Sequence, residues 1–231
     1  VEGSLGLRKE IVTVCRRLYE RGLIAGPDGN ISVRLGGDRI LVTPSGMSKV
    51  DVGPDDLVEV TLKGEKVGGD REPSSEVHLH VRVYSRRPDV WAVVHAHPPV
   101  ATGFALAGEG FEPDLLPELA VQCGRVPVVP YATPGTTELP DTFEPYLAGH
   151  DAFLMANHGA LTTGSSLVVA HQRMESLEHA ARIILTARLL GRVNVLTPAQ
   201  TAELLAARTR ANVLSGTHPE ILARESQRRE E

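Results

Sequence analysis

His95-Ala96-His97 directly follows the apolar run Val93-Val94. In an extended segment, residues two apart point to the same side, so both imidazoles can reach one ion. A third imidazole, His158 in Asn157-His158-Gly159, follows a second short apolar run, Phe153–Met155. Gly159 would let the backbone turn away sharply and leave that ring at the end of a sheet. Glu76, in Pro73-Ser74-Ser75-Glu76, falls where a helix is expected to begin. Three histidines and one carboxylate form a borderline, nitrogen-rich donor set that suits Zn²⁺ better than Mg²⁺ or Ca²⁺. Displacing the carboxylate by water or a substrate oxygen would open a catalytic position. The remaining histidines are assigned to structure or solvent: His78 and His80 on the helix after Glu76, His171 and His179 on a long helix, His150 and His218 in polar loops. His171 stands apart among them as the strongest exception.

Three small-residue loops have the chemistry of an anion site: Gly29-Asn30, Ser45-Gly46 and Ser74-Ser75. Glycines let an anion approach backbone N–H groups, hydroxyls donate hydrogen bonds, and a helix N-terminus adds a favourable dipole. Each alone also reads as an ordinary turn or an N-cap.

The elements that must carry these residues follow from periodicity. Leu7, Ile11, Val14, Cys15 and Leu18 recur at helical spacing over residues 4–21, with Gly22 as the stop. Short strand-like runs follow at 31–35, 39–43 and 57–62, with a hairpin return at 66–67. A helix is expected from Ser74 or Ser75 to about Arg86, a buried strand at 90–94, and a helix from Pro98 through Leu106. Strands at 126–129 and 153–155 flank a helix over 139–147 that Thr136 or Thr137 could cap. Residues 166–191 carry the longest helical pattern, with Leu167, Val168, Ala170, Met174, Leu177, Ala181, Ile184, Leu185 and Leu189 on one broad face. A last helix is expected from Thr197 to about Leu214, then a solvated mixed-charge tail, Arg224 to Glu231. No linker divides the chain, so residues 1–231 are expected to form one α/β domain with its core over about 5–214 and a tail over 215–231.

Composition narrows the function classes. With 24 basic and 29 acidic side chains and no run of Lys and Arg interleaved with aromatics, nothing supports a nucleic-acid surface. No stretch reaches the ~20 apolar residues needed to cross a bilayer. Residues Val1 to Arg8 lack the apolar centre of a signal peptide. Cys15 and Cys123, the only cysteines, suggest a reduced compartment, and Cys15 lies on the apolar stripe of the first helix. A cytoplasmic location is expected.

Six motifs occur in order: Gly29-Asn30-Ile31-Ser32, Thr43-Pro44-Ser45-Gly46, Glu72-Pro73-Ser74-Ser75-Glu76, His95-Ala96-His97-Pro98, Pro130-Tyr131-Ala132-Thr133 and Asn157-His158-Gly159. Over about residues 5–190 the chain resembles the class II aldolase/adducin-like family, nearest to its L-fuculose-phosphate aldolase branch. The resemblance implies a three-layer α/β/α domain around a mainly antiparallel sheet, and a homotetramer with sites at subunit interfaces. It implies that His95, His97 and His158 bind zinc, and that Glu76 binds it in the empty enzyme, then swings free as acid/base. It further implies that Gly29, Asn30, Ser45, Gly46, Ser74 and Ser75 hold the phosphate of dihydroxyacetone phosphate. The chain departs from that branch in lacking a tyrosine in Leu115–Ala120 and any tyrosine after Tyr146. The first of these tyrosines would protonate the aldehyde oxygen from across a subunit interface; Glu118 is a substitute donor or a helix-capping carboxylate.

The expected reaction is reversible aldol cleavage of a ketose 1-phosphate, like L-fuculose 1-phosphate, to dihydroxyacetone phosphate and a small aldehyde. A sugar-acid phosphate decarboxylase, a pentulose-phosphate 4-epimerase and a methylthioribulose-phosphate dehydratase are the alternatives on the same scaffold. The decarboxylase is the foremost of these because of the missing tyrosines. A non-catalytic interaction module is disfavoured by the three histidines and Glu76.

Overall fold

In the computed structural model, which describes residues 2–215, helix α1 (Glu2–Glu20) leads into a hairpin of β1 (Asn30–Gly36) and β2 (Arg39–Val42). A 3₁₀ turn at Pro54–Asp56 precedes β3 (Val58–Thr61) and β4 (Lys66–Gly68). Then come α2 (Val77–Arg86), β5 (Ala92–Ala96), α3 (Pro99–Leu106) and α4 (Pro117–Gln122). The chain continues through β6 (Val128–Val129), α5 (Leu139–Phe143), β7 (Ala152–Met155), β8 (Gly159–Gly164), α6 (Leu167–Leu189) and α7 (Pro198–Ser215). The expected tail at 224–231 and His218 lie outside the described residues.

The eight strands form one sheet in the order β4-β3-β2-β1-β5-β8-β7-β6. Every neighbouring pair is antiparallel except β6 with β7. Successive strand residues face opposite sides, and the two cores show it. Ile31, Val33, Val94, Leu154 and Ala160 pack with Ile11, Cys15 and Leu18 of α1 and Met174, Leu177 and Ala181 of α6. On the other face, Val42, Val60, Val93, Phe153 and Leu161 pack with Leu79, Val83 and Tyr84 of α2 and Phe143 of α5. This is the expected α/β/α arrangement with a mainly antiparallel sheet. Among the described residues, no helix is long and apolar enough to cross a membrane.

Several expectations shift. Helix α2 begins at Val77, with Glu76 in the N-cap position. The strand expected at 90–94 spans Ala92–Ala96, so His95 lies inside it rather than after it. The helix expected over 139–147 is α5, which ends at Phe143 with Glu138 at its N-cap position. On α6 only part of the expected face is buried: Leu167, Ala170, Met174, Leu177, Ala181 and Ile184 are covered, whereas Val168, Leu185 and Leu189 are exposed. At about 100° per residue those three rotate off the stripe facing the sheet. Strand β8 and helix α4 have no counterpart in the expectations.

Asp151, just before β7, ties the periphery together. Its Oδ1 is 2.7 Å from Arg87 Nη2, beyond the end of α2, and its Oδ2 is 3.1 Å from Arg173 Nη2 on α6. Arg208 of α7 binds the same carboxylate.

Candidate active site

The site forms where β1, β5 and the β7–β8 hairpin end near the start of α2. Asn30 pairs with His95 across β1 and β5, and His95 pairs with Leu161 of β8. His95 shares strand parity with Val93, so its ring falls on the α2 face, toward Glu76. His97 lies one residue beyond β5. Its backbone N–H is held by Leu23 O at 2.9 Å.

His158 sits in the three-residue turn joining β7 to β8. Asn157, at φ 57°, supplies the left-handed residue that turn needs; asparagine tolerates this region better than most residues. Gly159 was expected to supply the sharp turn, but it is an ordinary strand residue with no left-handed φ. Its reason is close approach: a Cβ there would lie 2.6 Å from Ala96 O and 2.6 Å from His97 Cδ2. Gly29 combines the same close approach, a Cβ meeting His95 O at 2.7 Å, with a left-handed φ of 71°.

The ligand atoms of His95, His97 and His158 all lie within 4.8 Å of one another and could hold a metal. His95 Nδ1 is 2.9 Å from Ala160 O and donates its hydrogen there, which points Nε2 into the cluster. That Nε2 faces His97 Nε2 at 3.2 Å and Glu76 Oε2 at 3.1 Å. Glu76 Oε1 is 3.5 Å from His158 Nε2 and accepts no hydrogen bond, although buried. Converging acceptors repel unless a proton or a cation lies among them, so the residues fit a metal ion. Asp28 Oδ2, 3.5 Å from His97 Nδ1, is placed to orient that ring from outside.

The charges agree. Burial pushes His97 and His158 down to about 4, aided by the positive charge of His95, so both rings are neutral near pH 7. Burial lowers His95 too, but Glu76 beside it raises it more. Burial raises Glu76, yet the charge and hydrogen bond of His95, with His158 and Asn30, hold it well below the usual carboxylate range.

The three small-residue loops meet the histidines in one cleft of about 330 Å³ lined by Gly29, Asn30, Ser45, Gly46, Ser74, Ser75, Glu76, His95, His97 and His158. Thr43 assembles them. Its Oγ1 accepts from Ile31 N at 3.1 Å and its carbonyl from Ser74 N at 3.1 Å, while Ser45 N donates to Glu72 O at 3.0 Å. Ser74 is buried and its Oγ accepts from Glu76 N at 3.3 Å, holding the N-cap residue rather than capping α2 itself; Ser45 and Ser75 are exposed.

With this geometry in view, residues 9–185 match the family described as Class II Aldolase and Adducin N-terminal domain. The chain belongs to that family. A 3-oxo-tetronate 4-phosphate decarboxylase of Pectobacterium atrosepticum is 34% identical over 204 residues, covering 85% of this chain and 91% of that one. A 5-methylthioribulose-1-phosphate/5-deoxyribulose-1-phosphate aldolase of Rhodospirillum rubrum is 37% identical over 178 residues, covering 77% and 79%. A solved L-fuculose 1-phosphate aldolase superposes with a TM-score of 0.81 at 32% identity, covering 86% of this chain and 94% of that one. These relatives of the class II aldolase chain are enzymes named for small sugar phosphates or sugar-acid phosphates.

Other residues of this class II aldolase family member escaped the sequence reading. Lys49 lines the cleft, is 3% exposed, and donates from Nζ to Pro27 O at 2.8 Å and Met47 O at 3.0 Å. Glu178 accepts from Val100 N at 3.1 Å and Ala101 N at 2.9 Å, fixing the start of α3 just past His97. His80 is fully buried, held down to about 3 by burial and by the charge of His95, and bonds to Asn30 rather than to solvent. The only sequence signal for it was its spacing, one helical turn after Glu76. His171 is buried on α6 and is not among the residues lining the cleft. Glu118, in the first turn of α4, lines a separate cavity of about 490 Å³ with Arg21, Glu175 and His179.

Proposed function

We propose that this chain is a zinc-dependent lyase that decarboxylates a 3-oxo sugar-acid phosphate to a ketose phosphate. The carrying observation is the cleft that joins the His95, His97, His158 and Glu76 donor set to the three small-residue loops. Zinc is supported by the donor set, since His95, His97, His158 and Glu76 would offer three imidazole nitrogens and one carboxylate oxygen. When bound, the metal supplies Lewis-acid stabilisation of negative charge on a carbonyl oxygen.

The chain's own residues do the rest. Ser45, Ser74, Ser75 and the backbone at Gly29, Asn30 and Gly46 bind the phosphate, with the Lys49 ammonium adding positive charge. In the decarboxylation the C1–C2 bond breaks, CO₂ leaves, and the electron pair passes into C2–C3 while the C3 carbonyl oxygen takes up negative charge. Glu76 then delivers to C2 a proton drawn from solvent, and the C3 carbonyl re-forms to give dihydroxyacetone phosphate. Once substrate separates Glu76 from His95, the interactions that depress its pKa weaken while the burial that raises it persists.

The missing tyrosines favour this reaction over aldol cleavage. Departing CO₂ carries no oxygen that must gain or lose a proton, whereas aldol cleavage releases an aldehyde whose oxygen does. Aldol cleavage of a ketose 1-phosphate is the second reading. It passes through the same enediolate, and relatives named as aldolases support it. A homotetramer with sites at subunit interfaces belongs to the proposal, with exposed Leu185, Leu189 and Leu190 on and just past α6 as candidate contacts.

The test is a product assay on the zinc-loaded protein with 3-oxo-tetronate 4-phosphate and L-fuculose 1-phosphate. Release of CO₂ with dihydroxyacetone phosphate from the first is expected. Release of an aldehyde from the second alone would replace this reading by the aldolase one.

A further inference from the structure

Behind Glu76 runs a buried chain of polar groups that the proposed reaction does not use. Asn30 Nδ2 donates to Glu76 Oε2 at 2.8 Å. Asn30 Oδ1 is 2.5 Å from His80 Nε2, His80 Nδ1 is 2.6 Å from Ser32 Oγ, and Ser32 Oγ is 2.8 Å from Tyr84 OH. All four residues behind Glu76 are buried, and His80 has no exposed surface.

The polarity of this chain follows from its first member. An ionised carboxylate only accepts, so Asn30 must present its NH₂ to Glu76 and its carbonyl to His80. A carbonyl only accepts, so His80 must carry its hydrogen on Nε2. Its Nδ1 is then bare and can only accept, which makes Ser32 the donor there. The Ser32 oxygen in turn receives the Tyr84 hydroxyl hydrogen. Every hydrogen points toward Glu76. The amide of Asn30 does not pass protons, so the chain orients and does not conduct.

We propose that His80 is a positioning residue for Glu76, acting through the Asn30 amide. By fixing which end of the amide meets Glu76, it holds Oε2 and leaves Oε1, which accepts no hydrogen bond, as the oxygen that faces the reacting carbon. The hold persists when Glu76 moves off His95, so the carboxyl pivots about Asn30 instead of swinging freely. Without His80 the amide could rotate and turn its carbonyl on the carboxylate. The arrangement also assigns the Asn30 side chain chiefly to Glu76, leaving one N–H for the phosphate that the resemblance assigns to it. Sheet register supports the design: Asn30 and Ser32 project from alternate positions of β1 onto α2, where His80 and Tyr84 are one turn apart.

This inference rests on Glu76 acting on substrate, and two measurements separate its failure from failure of that reading. The first is ring-¹⁵N NMR of the zinc-loaded full chain, with the His80 signals identified by their loss in His80→Gln. A neutral ring protonated on Nε2 is expected; protonation on Nδ1 overturns the proposal whatever the reaction. The second is steady-state kinetics with the substrate that wild type turns over. His80→Leu should lower kcat roughly 10–100-fold, the usual effect of losing an outer partner of a metal site, with KM and zinc content unchanged. His80→Gln, whose amide N–H is as many bonds from Cβ as Nε2, should recover most of kcat. A kcat for folded His80→Leu within about twofold of wild type, or equal losses in both variants, overturns it. Wild type inert toward every phosphate would instead sink the proposed reaction, and the NMR result would still decide His80.

Discussion

Gly159 and His97 touch so closely that the glycine has no room for a side chain: its added Cβ would lie 2.6 Å from His97 Cδ2. The same Cβ would be 2.6 Å from the Ala96 carbonyl oxygen, which is backbone and cannot swing aside. One missing methyl thus sets the distance between the His158 hairpin and the strand that bears His95. Gly159→Ala should cost about 1–3 kcal/mol of stability, as overpacking usually does, and should push His97 out of the triad. Zinc titration together with thermal melting checks this; full zinc affinity in the variant would contradict it.

Wild type should hold one zinc per chain, and His97→Ala should lose most of it. Elemental analysis of dialysed protein reads the outcome directly. A zinc-free wild type, or a variant with undiminished zinc, would remove the metal from the proposed function.

Glu76→Gln should keep the zinc, because three imidazoles remain, and should lose turnover by roughly 10²–10⁴-fold, the usual worth of general acid–base catalysis. The expectation is strongest for transfer to carbon, so the sharpest readout is the rate of deuterium incorporation at the hydroxymethyl carbon of dihydroxyacetone phosphate in heavy water. Undiminished incorporation would move the acid to another residue.

Ser75→Ala should weaken binding of a phosphorylated substrate by about 1.5–3 kcal/mol, the cost of a lost hydrogen bond to a charged group. Lys49→Met should raise KM as well, since Nζ also links the Pro27 and Met47 carbonyls of two cleft loops. Comparing each variant on the phosphorylated compound and its unphosphorylated analogue isolates the effect. Equal losses on both would assign these residues to the fold alone.

Asp151→Asn should destabilise the protein by about 3–5 kcal/mol, because it leaves Arg87, Arg173 and Arg208 clustered without their shared anion. Burial raises the Asp151 pKa, but the three arginines outweigh it and hold it below the usual carboxylate value. A depressed folded-state pKa means the stabilisation is complete above the unfolded value near 3.9 and disappears as pH falls through the lower folded value. Wild-type melting temperature should therefore drop more steeply below about pH 4 than that of Asp151→Asn. Parallel acid profiles would show that Asp151 does not govern the acid limb.

The chemistry of the site was legible in the sequence wherever it depended on neighbours along the chain. His95 and His97 are two apart in an extended run, and Glu76 follows two serines at a helix start; both are local facts that survive folding. Apolar periodicity likewise marked α1 and α6, and short apolar runs marked the central strands, because burial imposes both. Strand β8 was hidden because Gly-Ala-Leu-Thr-Thr-Gly is buried on both faces and shows no alternation. What folding alone decided are the contacts between distant segments. Asn30 meets His80 across 50 residues and Ala101 meets Glu178 across 77, and nothing along the chain pairs one with the other. Asp28, Ser32, Lys49 and Tyr84 belong to the same class. A hydrogen bond's partner is chosen by which groups the packed layers leave facing each other without water, and that choice exists only once the layers have closed.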